Sequence, residues 1–228
     1  SGAAAGSYYN GYSGMTAVGQ NSHANGNGST ALGNSANAGG QYTSAIGYGS
    51  NAYGSYTMAM GGASVNGTNS IAVGNSATAQ DNSSIAFGSQ SNVTSSFGTA
   101  IGVQTKTAYK GTAVGYGVQA GGSEATAIGV GSMASGANAT AIGGGGAWQA
   151  NSVAIGSDAG TNTNAVAIGK GSKAWGDSAV SLGINSEATG ANATAIGGGK
   201  AYQQDGVAIG SNAGTNKSAV SIGKNSNA

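Results

Sequence analysis

A three-residue motif recurs sixteen times along the 228 residues: a small residue, then a large apolar residue, then a glycine. The copies read AVG, ALG, AIG, AMG, AFG, SLG or SIG, and the motif glycine returns at every thirteenth or fourteenth position. This period is too short for two helices, and glycine and β-branched residues disfavour helix. It suits one turn of a coil, here called a rung, made of two short strands and two tight corners, because each extended residue spans ~3.3 Å.

The residues around each motif glycine alternate as residues in strands do. Before the glycine come a large apolar residue, then Ala or Ser, then in most copies a β-branched residue such as Thr30 or Val153. Small residues follow three and five positions after the glycine, often with a varied polar residue such as Asn51 or Lys173 between them. The sequence therefore predicts an all-β fold, a parallel β-roll (solenoid) of about 16 rungs of 13–14 residues, with glycines supplying positive φ at the corners.

The repeat covers essentially the whole chain, which predicts a single domain over residues 1–228. Residues 1–18 form a degenerate N-terminal cap rung with Gly6 at the motif position. The stretch GANATAIGGG occurs at residues 136–145 and again at residues 190–199, as part of a block of four rungs. We interpret this block as a duplication that has lengthened the coil.

The first strand of each rung has no polar face, because one set of its positions is mostly Ile, Val or Thr and the other is Ala, Ser or Gly. Such a strand is typically covered on both sides. The coil interior covers one side, and copies of the same chain around a closed symmetry axis are the simplest cover for the other. We favour the large residues pointing into the coil and the small ones lying in the oligomer interface; the reverse assignment requires the same oligomer. The predicted core or interface residues are Val18, Leu32, Ile46, Met60, Val73, Phe87, Ile101, Val114, Ile128, Ile142, Ile155, Ile168, Leu182, Ile196, Ile209 and Ile222.

Charge and composition exclude several classes of function. The chain has 46 Gly, no Cys, no Pro and a formal charge of +1, so disulfide chemistry and strong attraction to nucleic acid or anionic membranes are not expected. No apolar run is long enough to cross a bilayer. The single His23 occupies a variable, outward position, and the six acidic residues are spread over distant rungs without an acid/base pair or metal cluster. We expect no enzymatic activity, no cofactor and no metal.

Aromatic residues are the one compositional bias that suggests a contact surface. Seven of the ten Tyr lie at or before Tyr56, and Tyr combines a large contact area with a hydroxyl at low entropic cost. They are candidates for an adhesive surface or for a cap that shields the first rung from edge pairing, and both interpretations stay open. The candidate residues are Tyr8, Tyr9, Tyr12, Tyr42, Tyr48, Tyr53 and Tyr56.

Two further aromatic positions break the rule of small residues. Trp148 and Tyr202 occupy equivalent places in the duplicated block, after GGGGA and GGGKA. They predict a bulged corner that packs on a neighbouring rung or chain rather than a ligand site. Trp175 is predicted one place further round its rung, in an exposed position.

The repeat resembles the head repeats of trimeric autotransporter adhesins, the YadA-like heads, whose signature is NSVAIGxxS alternating with SxAxG in each successive turn. The best match is NSVAIGSDA at 151–159, and the looser form AxAIG recurs along nearly the whole chain. The resemblance implies a left-handed roll, a homotrimer and an N-terminal distal tip, projecting from the outer membrane of a Gram-negative bacterium. Full NSVAIG phrases are rare, and no neck, heptad stalk or anchor barrel is evident, so we expect a head or part of one.

These observations lead to two functional hypotheses. The first is a non-enzymatic cell-surface adhesin head that attaches to host matrix proteins, host cells or abiotic surfaces and causes autoagglutination, through many weak contacts that three chains combine into avidity. Its partners are then its own copies and those external surfaces, without nucleic acid or direct membrane insertion. The alternative is a rigid structural spacer that presents another binding domain.

Overall fold

A computed structural model describes residues 2–5 and 13–228 of the chain. The chain divides into two compact units, residues 1–117 and residues 118–228. Gly6 and three of the candidate tyrosines, Tyr8, Tyr9 and Tyr12, lie outside the described residues.

In the first unit each rung contributes one strand of two residues and one of three. The two-residue strands are β1 (Ala4–Ala5), β3 (His23–Ala24), β5 (Asn37–Ala38), β7 (Asn51–Ala52), β9 (Ser64–Val65), β11 (Thr78–Ala79), β13 (Asn92–Val93) and β15 (Lys106–Thr107). The three-residue strands are β2 (Thr16–Val18), β4 (Thr30–Leu32), β6 (Ser44–Ile46), β8 (Met58–Met60), β10 (Ile71–Val73), β12 (Ile85–Phe87), β14 (Thr99–Ile101) and β16 (Thr112–Val114).

The second unit repeats this arrangement. Its two-residue strands are β17 (Gln119–Ala120), β19 (Met133–Ala134), β21 (Gly146–Ala147), β23 (Gly160–Thr161), β25 (Lys173–Ala174), β27 (Glu187–Ala188), β29 (Lys200–Ala201) and β31 (Gly214–Thr215). Its three-residue strands are β18 (Thr126–Ile128), β20 (Thr140–Ile142), β22 (Val153–Ile155), β24 (Val166–Ile168), β26 (Val180–Leu182), β28 (Thr194–Ile196), β30 (Val207–Ile209) and β32 (Val220–Ile222).

Within each unit, strands of the same kind pair in parallel with their counterparts in the next rung. In β10 and β12, for example, Ile71 pairs with Ile85 and Ala72 with Ala86. The Ile71 N–H donates to the Ser84 carbonyl at 2.9 Å, so each rung satisfies its backbone groups through its neighbours. Among the described residues every element is a strand, and the predicted all-β parallel solenoid is confirmed.

The corners explain the motif glycine. All sixteen motif glycines have positive φ, between 67° and 137°. At Gly33, with φ of 134°, an added Cβ would also lie 2.7 Å from the carbonyl carbon of Gly47 in the next rung. Glycine is therefore needed for the backbone conformation and for the close stacking of corners, as the sequence predicts.

Most of the other residues with positive φ that are not glycine are Asn, Ser, Asp or Gln, and Asn and Asp tolerate the left-handed region best. The exceptions are Tyr42, Tyr56, Phe97, Lys110 and Glu124. Three asparagines at one corner form a ladder along the coil. The Asn138 Nδ2 donates to Asn151 Oδ1 at 3.1 Å, and the Asn151 Nδ2 donates to Asn164 Oδ1 at 3.0 Å. Hydrogen bonds between these polar side chains thus connect successive rungs at the surface.

The interior of the coil contains only small side chains. Middle residues of the three-residue strands, such as Ala45 and Ala100, are fully buried, and the largest fully buried side chains in the described part are valines and threonines. Where Val93 and Thr107 point inward, the facing residue is Gly98. A Cβ at Gly98 would lie 2.6 Å from Val93 Cγ1 and 2.9 Å from Thr107 Cγ2, so glycine makes room for the larger neighbours.

The orientation that we favoured for the three-residue strands is therefore wrong, and the reverse assignment holds. None of the sixteen large motif residues, all of which the structure describes, is buried; Val18 and Phe87 are each 53% exposed. Short corners bring the two strands of a rung so close together that little more than a methyl group fits on most inward positions. The large residues consequently point outward, on the side that the oligomer is expected to cover.

Candidate functional site

The outward residues of the three-residue strands form what we call the apolar face of each unit. Their side chains are apolar, Thr or Ser, and carry no charge. In-register pairing stacks like residues in columns, for example Val153 with Val166 and Ile155 with Ile168. An apolar surface that continues from rung to rung is typical of a protein–protein interface.

The outward residues of the two-residue strands form the polar face. In the first unit they are mostly His, Asn, Ser, Thr or Lys, and in the second unit they include the paired series Lys173, Glu187 and Lys200. The second strand thus keeps a polar outward side, suited to contact with water, in most rungs of the first unit. In the second unit Met133, Gly146, Gly160 and Gly214 interrupt it. His23 lies on this face, on β3, with an exposed side chain.

Four of the candidate tyrosines are described, and all are at least half exposed, with Tyr48 the most exposed at 77%. The rings of Tyr42 and Tyr56 stack with centroids 5.3 Å apart and planes at 20°. The Tyr53 hydroxyl donates to Asn51 Oδ1 at 3.3 Å. Among the described residues, no ring contact joins Tyr48 or Tyr53 to the stacked pair, so the structure brings two of the four rings together.

A second aromatic group in the first unit has no counterpart among the sequence predictions. Phe97 and Tyr109 meet edge to face with centroids 6.3 Å apart, and Lys110 Nζ lies 5.3 Å from the Tyr109 ring centroid. Phe97 is at a corner with positive φ, in a position where an aromatic residue is unusual. In the two preceding rungs this place is occupied by the polar residues Asn69 and Ser83, and that break in the polar pattern is a sequence signal that could have identified Phe97.

The two tryptophans of the second unit are brought together by strand register. Gly146 pairs with Gly160 and Gly160 with Lys173, so Trp148 and Trp175 occupy the same place two rungs apart. The prediction that Trp175 sits one place further round its rung is therefore wrong. The corner after Gly143 is one residue shorter than the corner after Gly169. Trp148 and Trp175 therefore lie at different distances along the chain from their motif glycines, but at the same place in their rungs.

Both indole rings fold over glycines. A Cβ at Gly146 would lie 2.6 Å from Trp148 Cε2. A Cβ at Gly160 would lie 3.1 Å from Trp175 Nε1 and 3.9 Å from Trp148 Nε1. The two indole nitrogens thus converge above Gly160, where the strand has no side chain of its own.

These residues line a cavity of about 270 Å³ that we call the tryptophan cleft; Asp158 and Lys173 complete its charged wall. Trp148 and Trp175 are 46% and 50% exposed, and Lys173 Nζ lies 5.0 Å from the Trp175 ring centroid. The sequence predicted neither Trp in a ligand site. The two rings meet only because of how the strands pair after the shortened corner, and this pairing is not visible in the sequence.

The described residues contain no group of three or more His, Cys, Asp or Glu side chains placed to hold a metal ion. Over the same described part, no helix has the length and apolarity to cross a membrane.

A family model described as the YadA head domain repeat (2 copies) matches residues 16–36, 38–64, 66–91, 120–145, 161–186 and 176–199, which together make up more than half of the chain. The matched segments lie in both units and include strands of both kinds. No curated protein matches the chain.

Proposed function

Because the chain belongs to the family of YadA head domain repeats, which form the adhesin-type heads of surface-exposed, outer-membrane-anchored autotransporters, we propose that it is a non-enzymatic adhesin head of a Gram-negative bacterium. It attaches to host matrix proteins, host cells or abiotic surfaces, and to heads on other cells in autoagglutination. The family match, which recurs along both units, is the observation that supports this proposal.

The functional form that we propose is a homotrimer in which the apolar faces of three chains cover one another. The support is the uncharged column of partly exposed side chains on the three-residue strands, such as Ile155 and Ile168. Burying a fully exposed large apolar side chain contributes ~1.5–3 kcal/mol, and these partly exposed side chains each contribute a smaller share. Columns of such residues therefore favour association.

We place the adhesive contacts on the tyrosines of the first unit, because their exposed rings offer apolar area together with a hydroxyl. The stacked pair Tyr42 and Tyr56 presents a joined aromatic surface, and Tyr48 is the most exposed of the four. Weak contacts of this kind multiply when three chains and many molecules act together.

The test replaces Tyr42, Tyr48, Tyr53 and Tyr56 with Ser and measures attachment of beads that carry the protein to immobilised matrix proteins and to uncoated polystyrene. We expect attachment to fall about tenfold or more, since avidity amplifies the loss of each contact. Tyr116→Ser is the matched control: Tyr116 follows Gly115 as Tyr48 follows Gly47, and it lies outside the cluster. It should attach like the native chain.

Unchanged attachment of the fourfold variant, with native oligomeric state, would contradict the tyrosine surface and favour the alternative function, a rigid spacer that presents another binding domain. The observation that favours the spacer is the duplicated block, in which the rungs around Ile142 and Ile196 have the same strand structure. Duplicating rungs lengthens a coil without requiring a new contact surface.

A further inference from the structure

The tryptophan cleft carries hydrogen-bond donors that the protein itself does not use. Among the described residues, neither Trp148 Nε1 nor Trp175 Nε1 has a hydrogen-bond partner within the protein, and both lie within 4 Å of the position that a Cβ on Gly160 would take. Both tryptophan side chains are about half exposed, so the acceptor for each N–H group can be water or, in its place, a polar group of a ligand. Hydroxyl groups of a ligand in the cleft can supply acceptors for these N–H groups.

We propose that the tryptophan cleft binds one neutral pyranose ring of a glycan. Such a ring presents C–H groups that pack on an indole surface and hydroxyls that accept and donate hydrogen bonds. The indole N–H groups and the Lys173 ammonium are donors for these hydroxyls, and the Asp158 carboxylate is an acceptor.

Charge and size select this ligand class. Asp158 and Lys173 contribute opposite charges to the lining, so the cleft has no net charge to attract an ionic ligand. Lys173 Nζ already lies 5.0 Å from the Trp175 ring centroid, where a cationic ligand would be repelled. The volume of about 270 Å³ is just below the ~300–1,000 Å³ of sites for drug-sized molecules and fits a single ring.

The cleft lies on the side of the coil that the proposed trimer leaves open. Its floor is formed by outward residues of β21 and β23, on the polar face. The proposed oligomer uses the apolar face of the three-residue strands instead. A glycan can therefore reach the cleft in the assembled protein.

The duplicated block provides an internal comparison. At the corresponding positions of the second copy, Lys200 replaces Gly146, Tyr202 replaces Trp148 and Asn212 replaces Asp158. The Tyr202 hydroxyl donates instead to Glu187 Oε2 at 3.4 Å. The second copy thus has a Lys side chain where the floor of the first copy is bare.

The experiment uses the fact that the chain has only two Trp, both in the cleft. Tryptophan fluorescence and the two indole N–H signals in a ¹H–¹⁵N spectrum then report on this site. The full chain is titrated with lactose, N,N′-diacetylchitobiose and maltotriose and, in separate titrations, with heparin and a proline-rich peptide. We expect at least one of these glycans to shift both indole signals along a saturable curve.

Gly160→Ala is the decisive variant, because it keeps both tryptophans and adds a Cβ 3.1 Å from Trp175 Nε1. We expect it to weaken binding at least tenfold. Gly214→Ala, at the equivalent place in the duplicated block, is the matched control and should bind within twofold of the native chain. A thermal unfolding curve tests whether each variant folds. If Gly160→Ala does not fold, Trp175→Phe is used instead, because it keeps an aromatic ring but removes one N–H group. Binding to this variant, followed by the remaining Trp148 signal, should be weaker.

Three results would overturn the inference: no saturable shift with any of the three glycans, an equal shift in Gly160→Ala, or a shift only with heparin or a proline-rich peptide. The inference extends the proposed adhesin function to a ligand class, but its test is independent of the tyrosines. Loss of bead attachment in the tyrosine variant and failure of the glycan titration are separate outcomes.

Discussion

At the scale of single residues, the motif glycines determine whether rungs can stack. Gly33 combines a φ of 134° with an approach to Gly47 that leaves no space for a Cβ. Elsewhere, at the corners occupied by Asn151 and Asn164, the left-handed conformation is adopted by residues whose amides bond to one another along the coil. Positive φ is thus provided in two ways, by glycine where corners touch and by asparagine, at a smaller angle near 55°, where they face water.

Gly33→Ala is expected to destabilise the protein by about 2–4 kcal/mol, because strain at positive φ adds to a clash with backbone atoms that cannot move aside. Urea unfolding followed by circular dichroism measures this. The control is Gly121→Ala, where φ is outside the left-handed region and an added Cβ meets no atom within 4 Å. Equal destabilisation by the two changes would contradict the role assigned to the corner.

At this scale the sequence predicted the corner glycines well, because a fixed period with an invariant Gly has few physical explanations. It did not predict the tryptophan cleft. Trp148 and Trp175 look offset when counted from their motif glycines, and only backbone pairing through Gly160 shows that they share one place. Because the corners differ in length, the pairing of strands in neighbouring rungs cannot be deduced from any single residue.

At the scale of the rung, the determining fact is how little space the two strands enclose. Alternation of Ala with Ile predicted two different faces on the three-residue strand, but alternation alone is symmetric and does not tell which face is inside. The burial of the side chains shows which face is inside: Ala100 is fully buried, whereas its neighbour Ile101 is 41% exposed. The expectation of large residues inside reflects ordinary globular cores, which are wider than a coil with such short rungs.

A pair of substitutions on β14 tests this orientation. Ala100→Leu places three extra carbon atoms in a filled interior and should cost about 1–3 kcal/mol or more of unfolding free energy. Ile101→Leu, one position away, keeps the volume of an outward side chain and should cost less than ~1.5 kcal/mol. The same urea experiment measures both changes, and a larger cost for Ile101→Leu would reverse the assignment of the faces.

At the scale of the whole molecule, the outward position of the large residues strengthens the case for an oligomer. The sequence predicted that both faces of the three-residue strand are covered, and the structure shows that the uncovered face is the one with the larger side chains. The number of chains comes from family resemblance, because a column such as Ile155 and Ile168 shows that a partner is needed but not how many.

Analytical ultracentrifugation tests the assembly. The native chain should sediment as a trimer at micromolar concentration. Ile155→Lys combined with Ile168→Lys should shift it toward monomer, because an unpaired charge is costly to bury. Gln119→Lys, which adds a charge on the polar face, should remain a trimer. A folded native monomer would contradict the oligomer.

The register of the strands also bears on how quickly this chain can acquire its structure. Parallel sheets usually form slowly, because their partners are distant in sequence and long loops must close first. Here each strand meets a partner only one rung later, as Ile71 meets Ile85, so every closure is short. Folding can therefore propagate from one rung to the next. Each newly folded rung offers its backbone N–H and C=O groups to the next rung while the rest of the chain is still unfolded.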